Sequence, residues 1–328
     1  MVDENGAKNR PQAGETGGSA CPTEGQAAGN TCPTSTSSTG HSSSTGHSSP
    51  TGHSSPTPGG PVEPFLSVRG LGKTFAERRW WGGRHGGTEA LRDISFSLEK
   101  GRTLGVVGPS GSGKSTLARC LTFFETPTCG EICLEGRNLW SSSARERRRM
   151  RAHIQLIFQD PAASLNPRFT AGQIVEEPLV IQRWATAAAR RQRACELMET
   201  VGLRRDAARK PALDFSGGER QRLAIARALA LEPKLLILDE SFSGLDLSVQ
   251  TQVANLLSDL QQRLGLTYIL ISHDLGAVRS LAGEIAVMDG GCIVEHAATR
   301  DLLAKPQHPR TKELLEASQA LSLDGALR

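Results

Sequence analysis

The 328-residue sequence predicts an α/β fold built on a mainly parallel central sheet, and three observations predict it. Short apolar runs of strand length ("TLGVVG", "IQLIF", "KLLILD", "LTYILIS", "EIAVMD") are separated by helical stretches. One of them runs straight into a glycine-rich loop, "GPSGSGKST", which opens a helix. Another closes on the carboxylate pair Asp239–Glu240. In parallel sheets of this kind ligands bind at the carboxyl ends of the strands.

The first 64 residues read as a different material. They are rich in Gly, Ser, Thr and Pro, with little to bury, and include three copies of a hexapeptide, "TGHSSS TGHSSP TGHSSP". A disordered, solvated tail is expected there. Its His41, His47 and His53 suit weak binding of a soft metal, but a plain low-complexity arm is the simpler reading. Lys8 and Arg10 stand against Asp3, Glu4, Glu15, Glu24 and Glu63, so the rest of the chain is more basic than the overall charge of +4. That balance suits anionic ligands or a membrane-proximal face without selecting a partner. The basic run "RERRRMR", Arg145 to Arg151, reads as one solvated helix face.

Residues 65–305 carry the folding pattern. "FLSVRGL" and "ALRDISFSLEKG" read as early strands, the second alternating at Ile94, Phe96 and Leu98. No run of about 18 apolar residues occurs, so no bilayer span is expected, and "MVDENGAKNRPQAGE" lacks the apolar region of a secretory signal. Seven scattered cysteines suit reduced thiols rather than a disulfide framework. Cys129 and Cys133 have no second pair of metal ligands nearby in sequence.

The loop Gly108, Pro109, Ser110, Gly111, Ser112, Gly113, Lys114, Ser115, Thr116 follows a strand and starts a helix, which is the setting of a P-loop. Glycines let successive N–H groups curl toward phosphate oxygens, and Lys114 supplies a point charge to them. The Ser115 hydroxyl suits Mg²⁺, and Asp239 is placed to hold its hydration shell. Glu240 follows Asp239 and so points elsewhere, able to polarise an attacking water. In "DFSGGERQRLAIARAL" Ser216, Gly217 and Gly218 cap a helix whose Leu223, Ile225, Ala226 and Leu229 face a core. The free N–H groups at that helix start form a second anion site.

With this motif in place the chain resembles the ABC ATPases, whose signature reads close to LSGGQ; here it is "FSGGE", ending in Glu219. The resemblance covers about residues 65–317 and implies a P-loop NTPase of the ABC type, with an antiparallel β subdomain and a helical subdomain at about 160–230. It implies ATP and Mg²⁺ as ligands and a head-to-tail dimer in which one subunit's signature covers ATP on the other's P-loop. It further implies Gln159 as a Q-loop glutamine bridging Mg²⁺ and water, and "SGLD", Ser243 to Asp246, as the D-loop that crosses the interface. His273 matches the histidine that contacts the γ-phosphate, and Ser241–Phe242 replace the proline usual after the glutamate. For stacking on adenine Phe75 fits best, with Trp80 or Trp81 as alternatives.

Within that family "FQDPAASLNPRFT", Phe158 to Thr170, resembles the loop of oligopeptide, dipeptide and nickel importers. The Trp-containing insertion "ERRWWGGRHGG" and the tail "QHPRTKELLEA", with Arg310 where a tyrosine is usual, agree. The tail opens a C-terminal extension, residues 306–328. The resemblance is to the F-type chain. It implies peripheral attachment to integral-membrane permease subunits at the cytoplasmic face of the plasma membrane, a D-type ATPase or a second copy as dimer partner, and indirect service to an extracytoplasmic solute-binding protein. The expected activity is ATP hydrolysis powering import of peptides or nickel. An ATPase subunit of a soluble carbon–phosphorus lyase-like assembly, or a nucleic-acid-associated ABC ATPase, is the alternative, although no nucleic-acid partner is expected.

Overall fold

The structure is a computed structural model that describes residues 63–76, 87–159, 164–242 and 244–326. The histidine-rich repeat and the rest of the expected N-terminal tail up to residue 62, Trp80 and Trp81, residues 160–163 of the Gln159 loop, and Ser243 lie outside the described residues.

In chain order the elements are β1 (Leu66–Phe75), β2 (Thr88–Leu98), β3 (Thr103–Val107), α1 (Lys114–Leu121), β4 (Cys129–Leu134), β5 (Arg137–Asn138), α2 (Ala144–His153) and β6 (Ile154–Ile157). There follow α3 (Ala171–Ile181), α4 (Ala187–Thr200), α5 (Gly217–Leu229), β7 (Leu235–Asp239), α6 (Leu247–Leu264), β8 (Thr267–Ser272) and α7 (Leu275–Arg279). The chain closes with β9 (Glu284–Asp289), β10 (Cys292–Ala298), α8 (Thr299–Ala304) and α9 (Pro309–Ala326).

Two sheets result. One is antiparallel with strand order β2-β1-β4-β5; the other has order β10-β9-β3-β8-β7-β6, in which only the edge strand β10 is antiparallel to its neighbour. The central strands read as unbroken apolar runs because both of their faces are buried. Side chains alternate between two cores. Leu104, Val106, Leu235, Ile237, Ile269 and Ile271 pack with the antiparallel sheet and α1, whereas Val107, Leu236, Leu238, Leu270 and Val287 pack with α3, α4 and α5. Tyr268 is fully buried on the second side and its hydroxyl donates to Leu257 O at 2.9 Å.

Three helices make the helical subdomain, and side-chain caps start each one. Thr170 caps α3 in a capping box with Gln173, Thr186 caps α4, and Ser216 caps α5 in a capping box with Glu219. The basic run lies on α2, which buries none of its residues and starts from its own capping box, Ser143 with Glu146.

The strand reading needed extension. β1 continues past "FLSVRGL" through "GKTF" to Phe75, with register shifts against β2 after Val68. The strands β4, β5 and β10 were not anticipated. β4 has only Ile132 and Leu134 buried, and β10 buries no residue, so neither presents the apolar run that marks the central strands.

Candidate active site

The strand order places four loops side by side at one end of the parallel sheet. β3 delivers the glycine loop, β8 delivers His273, β7 delivers Asp239 and Glu240, and β6 delivers Gln159. Residues spread over more than 160 positions thus meet because their strands are neighbours and all end in the same direction.

The glycine loop is built by close approach. A Cβ at Gly108 would lie 2.2 Å from Met288 O and 2.9 Å from Ser112 Oγ, so the backbone turns off β3 against the end of β9 with no room for a side chain. Ser112 is buried inside the loop, while Ser110 and Gly111 are exposed on its rim. Lys114 opens α1 yet is only 4% exposed, and its ammonium donates to Gly108 O at 2.8 Å and Pro109 O at 2.9 Å. The lysine therefore lies folded across the loop's concave side. Burial lowers its pKa, and the carboxylates of Glu240 and Asp239 partly offset that.

Asp239 is 9% exposed and accepts from the Ser115 hydroxyl at 3.3 Å. Its pKa is raised, first by burial and also by neighbouring Glu240, with Ser115 and Lys114 opposing. A buried carboxylate beside a hydroxyl is a hard-oxygen donor set, the chemistry that suits Mg²⁺, and a cation there would relieve the desolvation of Asp239. Thr116, next to Ser115, lies half-buried on α1.

Glu240 turns away from Asp239 because its backbone takes a left-handed conformation, φ 46°, while its N–H still donates to Ile271 O at 2.8 Å. Its carboxylate accepts from Gln159 Nε2 at 2.7 Å, and the same oxygen lies 3.5 Å from His273 Nδ1. So Gln159, Glu240 and His273, expected from separate motifs, form one cluster. Ser241, which stands where a proline is usual, is buried and its hydroxyl reaches Ile157 O at 3.5 Å, linking the end of β7 to β6.

The remaining predicted residues sit on other elements, α5, the turn before α6, and β1. Ser216 and Gly217 are exposed at the start of α5. A Cβ on Gly217 or Gly218 would meet Leu245 at 3.6 Å or Val249 at 2.6 Å, so the start of α5 packs against Leu245 and α6. Asp246 is exposed and serves as N-cap of α6, accepting from Val249 N at 2.9 Å and Ser248 Oγ at 2.7 Å; these bonds lower its pKa. Glu219, the departure from the usual signature, turns back on Ser216. Its carboxylate accepts from Ser216 N at 2.8 Å and Ser216 Oγ at 2.9 Å, which holds its pKa down. Phe75 ends β1 half-exposed, with the Lys73 ammonium 4.7 Å over its ring.

The lining of one further feature could not be read from the sequence. Beside Gln159 lies a groove of about 500 Å³ lined by Phe123, Phe124, Ile157, Phe158 and Ile181, with Arg151 and Arg227 at its polar side. Phe124, Phe158 and Ile181 are each more than 40% exposed. The groove joins β6 to α3 and α5, and only tertiary packing assembles it.

The family model described as ABC transporter matches residues 91–243. A dipeptide transport ATP-binding protein DppF of Haemophilus influenzae is 46% identical over 259 residues, covering 79% of each chain. A putative peptide import ATP-binding protein of Brucella ovis is 48% identical over 254 residues, 77% of this chain and 78% of that one. Among solved structures, cbiO1 from Clostridium perfringens, part of the ABC transporter complex cbiONQ, superposes with TM-score 0.65 at 27% identity, covering 78% of this chain and all of that one. The cassette MJ0796, solved as a dimer in a post-hydrolysis state with ADP and Pi, gives TM-score 0.62 at 27% identity over 72% of this chain and 99% of that one. With a glycine loop, a strand-end carboxylate pair and its glutamine and histidine partners gathered at one end of the parallel sheet, the chain belongs to the ABC transporter ATP-binding family.

Proposed function

We propose that this chain is the ATP-hydrolysing subunit that powers import of peptides through a membrane permease, working as half of a head-to-tail dimer. One observation carries the reading: the relatives named for dipeptide or peptide import are 43–48% identical over about four-fifths of this chain. Those names favour peptides over nickel and do not favour a lyase-type assembly or a nucleic-acid role. No described helix is long and apolar enough to cross a membrane, which fits peripheral attachment at the cytoplasmic face to separate permease subunits.

In this reading the N–H groups of the loop from Gly108 to Thr116, with Lys114, hold the phosphates of ATP, and Phe75 stacks on adenine. Lys114 must leave the carbonyls of Gly108 and Pro109 to do so. Mg²⁺ bound by Ser115 and Asp239, and reached by Gln159, would neutralise charge developing on the phosphoryl oxygens. Glu240 orients water for in-line attack, and His273 reaches the γ-phosphate. Ser216–Gly218 and the D-loop with Asp246 act on the nucleotide of the partner subunit, a role that the exposure of Ser216, Gly217 and Asp246 at the starts of α5 and α6 supports. The partner is a D-type ATPase or a second copy. The apolar groove beside Gln159 supports docking of the permease where nucleotide state is sensed, and a solute-binding protein delivers cargo from the far side.

A native pull-down of the tagged full chain from detergent-solubilised cells tests this. Two multi-span permeases and a second ATPase should co-purify; recovery of soluble enzymes alone would reject the transport reading.

A further inference from the structure

We propose that the C-terminal helix α9 is a strut that sets the position of His273, with Ser318 and Glu295 as positioning residues. The proposal rests on the reading of His273 as a group that reaches the γ-phosphate, and it assigns to the C-terminal extension a part in that reaction.

The strut is anchored at one end by a single carboxylate. Glu295, on β10, accepts from Gln307 N and His308 N at 2.9 Å each and from the Thr311 hydroxyl at 2.5 Å. It thus ties the approach to the helix, and a hydroxyl of its first turn, to β10. Thr311 is fully buried there, and Arg310 pairs with Asp289 at the end of β9 at 3.3 Å. Leu314 and Leu315 fix the next turn against the core that also holds β7 and β8.

Seven residues separate Thr311 from Ser318, two helical turns and about 10 Å of rise, so both lie on one face. At that far end the Ser318 hydroxyl donates to Asp274 Oδ1 at 3.4 Å. The same oxygen caps α7 by accepting from Gly276 N at 2.8 Å, and Asp274 N donates to Ser272 Oγ at 2.9 Å. A Cβ at Gly276 would lie 3.2 Å from Ser318 Oγ and 3.1 Å from Asp274 Oδ1, so helix and turn meet without slack. Asp274 is the residue after His273, whose ring lies 3.5 Å from Glu240. The peptide carrying the histidine is therefore held from both sides, by the strand that ends at Ser272 and by the helix that reaches Asp274.

The test is steady-state ATP turnover of the full chain in its purified assembly, with Ser318→Ala and Ser318→Thr made in the native and His273→Ala backgrounds. Ser318→Ala should lower kcat about three- to tenfold with KM for ATP unchanged, within the loss that small misplacement of a reacting group causes. Ser318→Thr, which keeps the hydroxyl, should restore the rate, and Glu295→Gln should reproduce the kcat loss from the anchor end. In the His273→Ala background Ser318→Ala should cost nothing further. Losses that multiply in that background, a Ser318→Ala kcat equal to the native one, or an effect on KM alone would overturn the strut. Native turnover by His273→Ala itself would instead overturn the role of His273, and the two failures are told apart by that single variant.

Discussion

Replacing Glu240 with Gln removes a charge and keeps the shape. Gln159 Nε2 donates to Glu240 Oε2 at 2.7 Å, and an amide oxygen at that position accepts the same bond, so the loop beside β6 should stay in place. The lost charge acts on two neighbours with known sign. Glu240 raises the pKa of Asp239, so its removal leaves Asp239 more readily ionised, and it also raises the pKa of Lys114, where burial already pulls the other way. Neither change takes a phosphate-binding group away, and one negative charge fewer faces the polyphosphate. ATP binding should therefore persist. On the proposed role of Glu240, what disappears is the base for water, a contribution of about 10²–10⁴-fold, or about 3–5 kcal/mol of transition-state stabilisation. The assay pairs ATP turnover with binding of a fluorescent nucleotide, and follows size in solution, where a nucleotide-locked dimer should accumulate. Turnover within tenfold of the native rate, with binding intact, would refute the assignment of Glu240 as the water-orienting residue.

Asp239→Asn should lower turnover by at least about 10²-fold by removing a strand-end carboxylate from the phosphoryl site. Because the Asp239 pKa is raised in the fold, the native state holds its proton more tightly than the unfolded chain, and stability falls as pH rises from the unfolded pKa through the raised one. The nucleotide-free Asn variant should escape that loss and melt higher than the native chain near pH 7, as scanning calorimetry would show. Ser216→Ala removes the hydroxyl that accepts from Glu219 N at 3.3 Å and should cost about 1 kcal/mol in denaturant unfolding. Glu219→Gln should leave turnover within about twofold if Glu219 serves the cap rather than the nucleotide. Tyr268→Phe removes the second of two bonds to the Leu257 carbonyl, which keeps its place in the helical ladder of α6, and should cost about 0.5–1.5 kcal/mol with no change in KM for ATP.

Much of this molecule was legible because its chemistry is local. A phosphate loop needs glycines followed at once by a lysine and a hydroxyl, so Gly108 to Thr116 could be read as a unit. The central strands were legible because burial on both faces demands unbroken apolar runs, as in "KLLILD" and "LTYILIS". β10 was not, since none of its seven residues is buried and pairing with β9 decides its shape. Glu219 stands where the usual signature ends in glutamine. Its actual contacts follow from the capping-box spacing, serine then glutamate three residues on, a signal that was present in the sequence.

Sequence by itself determined the parts: the P-loop, the Asp239–Glu240 pair, the capped signature helix and the ordered family motifs that carry Gln159 and His273. Tertiary structure alone decided their company. That the Gln159 amide and the His273 ring both meet one oxygen of Glu240 depends on β6, β7 and β8 being neighbours in the sheet. The groove beside Phe158 and the reach of Ser318 to Asp274 likewise come from packing between segments far apart in the chain. Sequence periodicity records which face of a strand or helix is apolar, but side-by-side placement arises from pairing and packing between segments far apart in the chain.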